Sequence, residues 1–385
     1  MANVLTDLAA DIYKAADIVG REQVGAIPSV TLNAGSERAA FGDTVRAAFT
    51  RASTVNTSYT PSMTIPEGDD QTVDNKTMTI DKVANVQIPW TGEDIRHVRN
   101  GAGYETIYGD QIAQAMRGIT NAIEAELLTN IYKGASRAYG TEGTTPFGSN
   151  FNEVAEIRKI LVDNGMPEDN QTTLVINSAA GTKLRNLAQL QKANEAGGDD
   201  LLRRGTLLDL QGIMIKESKQ VQAHTKGAGT GYLLNGGEPV GETSLVFDTG
   251  TVNTTGIKAG DVITIAGDTT NKYVVGTGST ATSGTIVINN PGLIVAGADN
   301  DAIAIRNSYT ANVAFHRAAV ELVVRAPDQP FGGDAAVDRM TIQDPFSGLV
   351  YEIAVYKGYG KTMIDITTFY GVKVWKPEFV ATLLG

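Results

Sequence analysis

"YETIYGDQIAQAMRGITNAIEAELLTNIYKG" spans Tyr104–Gly134, and its reading decides the fold. The apolar residues Tyr108, Ile112, Met116, Ile119, Ile123, Leu127 and Ile131 recur at spacings of four, four, three, four, four and four. That period puts them on one face of an α-helix, predicted here over Tyr104–Lys133. Gly134 is expected to end the helix in a left-handed turn. Roughly 27 residues at ~1.5 Å each make a rod of about 40 Å, much longer than the ordinary helix of ~11 residues. A rod of this length acts as a structural spine.

Before the spine, Leu5, Leu8, Ile12, Ala15 and Val19 mark an amphipathic helix within an N-terminal arm, residues 1–50. From Ile27 the pattern turns extended. "GDTVRAAF" (Gly42–Phe49) and "TMTIDKVANVQIPW" (Thr77–Trp90) read as strands flanking the acidic turn Pro66-Glu67-Gly68-Asp69-Asp70, which makes 51–92 an extended hairpin loop. Such an arm has little core of its own, and isolated hairpins are marginal in water. It is therefore expected to lie on another surface, with Glu67, Asp69, Asp70 and Trp90 as candidate assembly contacts.

After the spine come a helix over Phe151–Asn164 closed by Gly165, a strand at Thr172–Asn177 and a helix over Ala179–Gln191. Helix and strand alternate here without a clean βαβ repeat, which favours an α+β fold. Residues 236–306 differ in kind. From Gly241 to Asn300 there are 12 Thr and 10 Gly but two Lys and no Arg. Short strand-like runs at Asp261–Ala266, Lys272–Val275 and Thr285–Ile288 are joined by Gly, Thr and Ser, the pattern of a small inserted β-barrel. An exposed host loop tolerates such an insertion.

The bulk numbers narrow the function. The 385 residues carry a net charge of −11, with 42% hydrophobic and 19% charged residues, as in a folded globular protein. The acidic balance opposes a nucleic-acid binder that works by neutralising phosphates. With no cysteine there is no disulfide or thiolate chemistry, and the separated His97, His224 and His316 do not suggest a structural zinc site. Asp7 and Asp11 interrupt the start, so no secretory signal is expected, and no apolar run reaches the ~20 residues that span a bilayer.

No catalytic, cofactor or metal site emerges. "GYGKT" (Gly358–Thr362) has Val355 where a phosphate-binding loop needs glycine, and it reads as a hairpin turn. The Glu67–Asp70 cluster lacks the alternating spacing of a calcium loop. His316, in "VAFHRAAV", lies in a strand-to-helix segment and reads as packed and hydrogen-bonded. Arms without cores and no convergent polar site point to a subunit completed by copies of itself.

The order of segments resembles the HK97-fold major capsid proteins of tailed bacteriophages. "RRGTLLDLQGIMIKESKQVQAHT" (Arg203–Thr225), "ANVAFHRAAVELVVR" (Ala311–Arg325) and "YGVKVWKPEFVATLL" (Tyr370–Leu384), with the β-insertion between the first two, are similar to the P22-type coat protein branch. The resemblance implies an arm lying over a neighbouring subunit and a peripheral domain at 93–177. It further implies an axial domain beginning at 178–235 and a return to both domains at 307–385. It also implies hexameric and pentameric capsomers of this chain, enclosing double-stranded DNA without reading its sequence. Scaffolding and portal proteins would be partners in assembly, and a decoration protein a further one. The implied location is a virion capsid, made and assembled in the host bacterial cytoplasm, with no enzymatic activity. An encapsulin-like bacterial compartment shell is the alternative reading. An enzyme with a β-barrel ligand module is the third, and it lacks the pocket it would need.

Overall fold

The computed structural model describes residues 25–50, 60–65, 73–99, 104–191, 209–251, 255–344 and 347–385. The N-terminal stripe and the tip residues Glu67, Asp69 and Asp70 lie outside the described residues. The spine is a helix over Tyr104–Lys133, as its period predicts. Ile112, Met116, Ile119, Ile123, Leu127 and Ile131 are all buried in the largest core, between two sheets.

The first sheet is built on the long strand Lys361–Val374. One edge of it pairs antiparallel with Lys82–Thr91, and the other pairs first with Val350–Lys357 and then with Val320–Pro327. Ala336–Gln343 extends the sheet on one side, and Thr31–Ala39 joins parallel on the other. The second sheet orders Arg137–Gly140, Val380–Leu384, Tyr309–His316, Thr172–Ile176 and Met214–Glu217. Helices Asn152–Asp163 and Ser178–Arg185 cover it, with Val154, Ile157, Leu161, Ala180 and Leu184 in a second core.

The same sheet continues through Arg137–Gly140 into a barrel. The barrel strands are Tyr232–Leu234, Ser244–Asp248, Val262–Ile265, Asp268–Thr277, Gly284–Ile288 and Ala302–Ile305. They close because Val262–Ile265 pairs with both Asp268–Thr277 and Ala302–Ile305. Closure removes the free edges that a sheet otherwise exposes. Its separate core includes Tyr232, Leu245, Phe247, Ile263, Tyr273, Ile286 and Ile303, so the barrel begins ahead of the expected residue 236.

Three sequence readings need correction. "TMTIDKVANVQIPW" is two strands, Val73–Thr79 and Lys82–Thr91, and only the first belongs to the projecting ribbon. The chain bends at Ile80, which is buried while its main chain bonds Gly42 and Asp43. Trp90, in the second of these strands, is 8% exposed in the single chain. "ANVAFHRAAVELVVR" is two strands with a single 3-10 turn at Arg317–Ala319. Gly134 does close the spine, but without a left-handed φ. A β-carbon there would stand 2.9 Å from the Val374 side chain, so close packing against the long strand demands glycine.

Leu127, fully buried against both sheets, gives a direct check on the spine as the centre of the core. Leu127→Ala is expected to lower unfolding stability by about 2–5 kcal/mol, measured by urea denaturation of the purified chain.

Candidate assembly surfaces

The described chain enters the body at a buried carboxylate. Glu124, on the spine helix and 1% exposed, accepts hydrogen bonds from the main-chain N–H groups of Gly25 (2.9 Å), Ala26 (2.7 Å) and Ile27 (2.9 Å). Burial pushes this carboxyl upward, while the bonds from Ala26, Ile27, Ser218 and Gly25 pull against it. Lys216 lies in the field of Glu124 and donates to Ser29 Oγ at 2.8 Å. The described chain therefore begins at a fixed point.

The projecting ribbon pairs Thr44–Thr50 with Val73–Thr79 in seven cross-strand pairs. Its root is packed through Ala39, Met78, Ile80 and Val323. Gly371 in the long strand permits that root to cross, since a β-carbon there would meet Thr79 O at 2.4 Å. Beyond the ribbon, Met63 and Ile65 stand fully in solvent. Beside the root of the sheet, Arg38 and Arg339 both bond the buried Glu352, and Arg339 also bonds Asp334. An open apolar groove runs between the spine and Lys82–Thr91, lined by Val86, Ile88, Pro89 and Ala115.

The barrel is held to the body by polar joints. Glu142 receives bonds from Lys272 Nζ (3.0 Å) and Arg306 Nε (2.9 Å). Burial alone would raise the Glu142 carboxyl, but the bonds from Arg306 and Lys272 prevail and bring it down to about 2. Arg137 bonds Asn271 of the barrel and Asn164 at the end of helix Asn152–Asp163. Asn289 donates from its side-chain amide to Lys133 O and Ala135 O, satisfying carbonyls at the end of the spine. His224 Nε2 lies 2.8 Å from Asp261 Oδ1, and Tyr309 donates to Gly260 O at 2.6 Å.

No reaction centre is assembled from these groups. His316 is buried, with Nε2 2.8 Å from Asp169 and Nδ1 accepting from Ala318 N–H, a packed and hydrogen-bonded histidine. "GYGKT" is the turn between Val350–Lys357 and Lys361–Val374, with Gly358 N–H bonded to Lys361 O. Among the described residues no group of three or more metal-ligating side chains occurs, and no helix is long and apolar enough to cross a membrane. Sequence reading missed Glu124, Glu142 and the His224–Asp261 pair. No local motif marks them, because their partners are distant in the chain.

No protein-family model matches the chain, and no curated protein matches it. Among solved structures it is similar to the capsid structure of the Cyanophage P-SCSP1u, at 13% identity and TM-score 0.50, over 94% of this chain and 88% of that one. It is also similar to a chain of Mycobacterium phage Che8, at 15% identity and TM-score 0.48, over 89% and 84%. A third is the mature capsid of bacteriophage PhiM1, at 12% identity and TM-score 0.47, over 93% and 85%. The chain shares the fold of the cyanophage capsid chain.

Two joints are open to test. Because the Glu142 carboxyl is lowered from its ordinary 4.5 to about 2, its stabilisation is present above pH 4.5 and is lost as pH falls from there toward about 2. Glu142→Gln is expected to cost about 1–3 kcal/mol at pH 7. It should also flatten the loss of stability across that acidic window, read from urea midpoints of both chains in a pH series. Glu124→Ala leaves three buried N–H groups without their acceptor, and an expected loss of about 2–5 kcal/mol follows. Hydrogen exchange at Gly25–Ile27 should accelerate well beyond that of the spine helix.

Proposed function

We propose that this chain is the major capsid protein of a tailed bacteriophage. It builds the hexameric and pentameric capsomers of an icosahedral shell around double-stranded DNA. The observation that carries this reading is the fold held in common with the cyanophage capsid chain, over nearly the whole of both. The ribbon Thr44–Thr50/Val73–Thr79 supports it physically, because a two-stranded ribbon is marginal by itself and gains stability on another surface. The barrel supports the finer assignment to the P22-type branch, since it lies between Met214–Glu217 and Tyr309–His316 with a core of its own.

In this reading the chain works by contact and not by catalysis. Its net charge of −11 keeps the inner wall from adhering to DNA phosphates. A separate scaffolding protein and a portal protein take part in assembly in the bacterial cytoplasm, and the product is the virion shell. The test is electron microscopy of the chain expressed alone and with its neighbouring genes. Closed shells or tubes of regular capsomers are expected, with DNA inside particles recovered from infected cells. A monomer that never assembles under either condition overturns the proposal, and particles filled with enzyme cargo indicate a compartment shell instead.

A further inference from the structure

Gly118 stands in the middle of the spine helix, where glycine is less favourable than alanine. Nothing in the described chain calls for it, since a β-carbon there would meet no neighbouring atom within 4 Å. At Gly134, by contrast, the Val374 side chain leaves no room for one. Gly118 is exposed and lines the apolar groove between the spine and Lys82–Thr91, together with Ala115 and the half-buried Val86 and Ile88. Val86 and Ile88 pack on the main core and remain open on the groove side. A glycine in such a wall lets a second helix approach more closely than any side chain would allow.

Residues 1–24 precede the anchored Gly25, and their sequence carries one apolar stripe at helical spacing, Leu5, Leu8, Ile12, Ala15 and Val19. The anchor brings that stripe within reach of the groove. Glu124, which holds Gly25, lies six residues beyond Gly118, about 9 Å along the helix axis. The two positions are also about 120° apart around the helix. Six residue steps separate Val19 from Gly25, and extended they span up to about 20 Å, enough for the rise and the turn together. The anchor also sets a direction: counted back from Gly25, the stripe runs beside the spine toward lower spine numbers. A stripe of this kind laid in an apolar groove is a recurrent mode of helix recognition.

We infer that residues 5–19 dock as a helix into the groove of their own chain, with the apolar stripe against Val86, Ile88 and Ala115 and the closest approach at Gly118. The stripe supplies the burial, the glycine admits the helix, and the bonds to Glu124 keep the segment near its site. This goes beyond the capsid reading and does not depend on it, since anchor, groove and segment belong to one chain.

The chain has no cysteine, so a pair introduced into it reports on docking without competition. With Val19 level with Gly118, Ala15 falls level with Gln114, which also lines the groove. The full-length, unassembled chain carrying Ala15→Cys and Gln114→Cys is expected to close a disulfide under mild oxidation, followed by mass spectrometry of the intact chain and its digest. Ala15→Cys with Val240→Cys, the latter position exposed on the barrel, is the control. The docked pair should close about tenfold faster than the control, because docking raises the local concentration of one thiol at the other. Adding Leu8→Ser with Ile12→Ser, or adding Gly118→Leu, should remove most of that advantage. Gly118→Leu points into open space, so its circular dichroism spectrum should match that of the parent chain. Equal rates for the two pairs overturn the proposal, as does an advantage that survives both sets of added substitutions. A bond that forms only between two chains, at a rate that rises with protein concentration, also overturns it and assigns the groove to the segment of a second copy. Because no particle need form, failure here is distinct from failure of the capsid reading.

Discussion

A carboxylate inside an apolar core is tolerated only where donors replace the water it has lost, and Glu124 meets that condition with main chain. Lys216 contributes at longer range, with its ammonium on Ser29. Backbone N–H groups have one place in a fold, whereas a lysine head can swing. The carboxylate therefore fixes where the chain enters, and Thr31–Ala39 follows directly into parallel pairing with Val320–Pro327. That pairing widens the sheet whose other strands receive the spine. A parallel neighbour has no tight turn to set its register, so an anchored entry point supplies what a hairpin would otherwise provide.

The barrel follows a different logic. Its interior is apolar and closed, and its attachment adds polar joints to the apolar packing of Val262 and Val274 in the body core: Glu142 between two cations, Arg137 between two amides, and Asn289 on the end of the spine. Apolar burial is non-directional, while hydrogen bonds require an angle as well as a distance. A domain seated by directional bonds keeps one orientation on the body. The shared strand Arg137–Gly140 adds to this, because it bonds Asp268–Thr277 on one side and Val380–Leu384 on the other. The orientation of the barrel on the body is thus set by these joints and the shared strand together.

The spine was legible because a 3.6-residue period persists over seven apolar positions, and no other element produces it. The barrel strands were legible from composition and turn residues. The bend at Ile80 was not. Met78, Ile80 and Ala84 are buried at even spacing across the bend, with only Lys82 interrupting, and neither glycine nor proline marks it. Trp90 sits in a segment that reads as part of the arm, yet its strand pairs within the body sheet. Gly134 was correctly placed and wrongly explained, since the reason for glycine is Val374, which lies far along the chain. Glu124 and Glu142 look like ordinary surface acids in sequence, and only tertiary partners separate them from the rest.

In the proposed shell the ribbon and the net charge act on assembly in opposite directions. Among the described residues the ribbon is a sheet of two strands, so its outer edges are unpaired and favour any surface that completes them. A charge of −11 on every copy opposes the approach of neighbours, over a range of about 8 Å at physiological ionic strength. Repulsion of that range is weak at a distance and strong in contact, so it penalises imprecise encounters more than well-registered ones. A contact that buries apolar atoms and pairs strand edges overcomes it, while a glancing contact does not. Acidity therefore sharpens the choice among possible neighbours, and the ribbon decides which choice is stable.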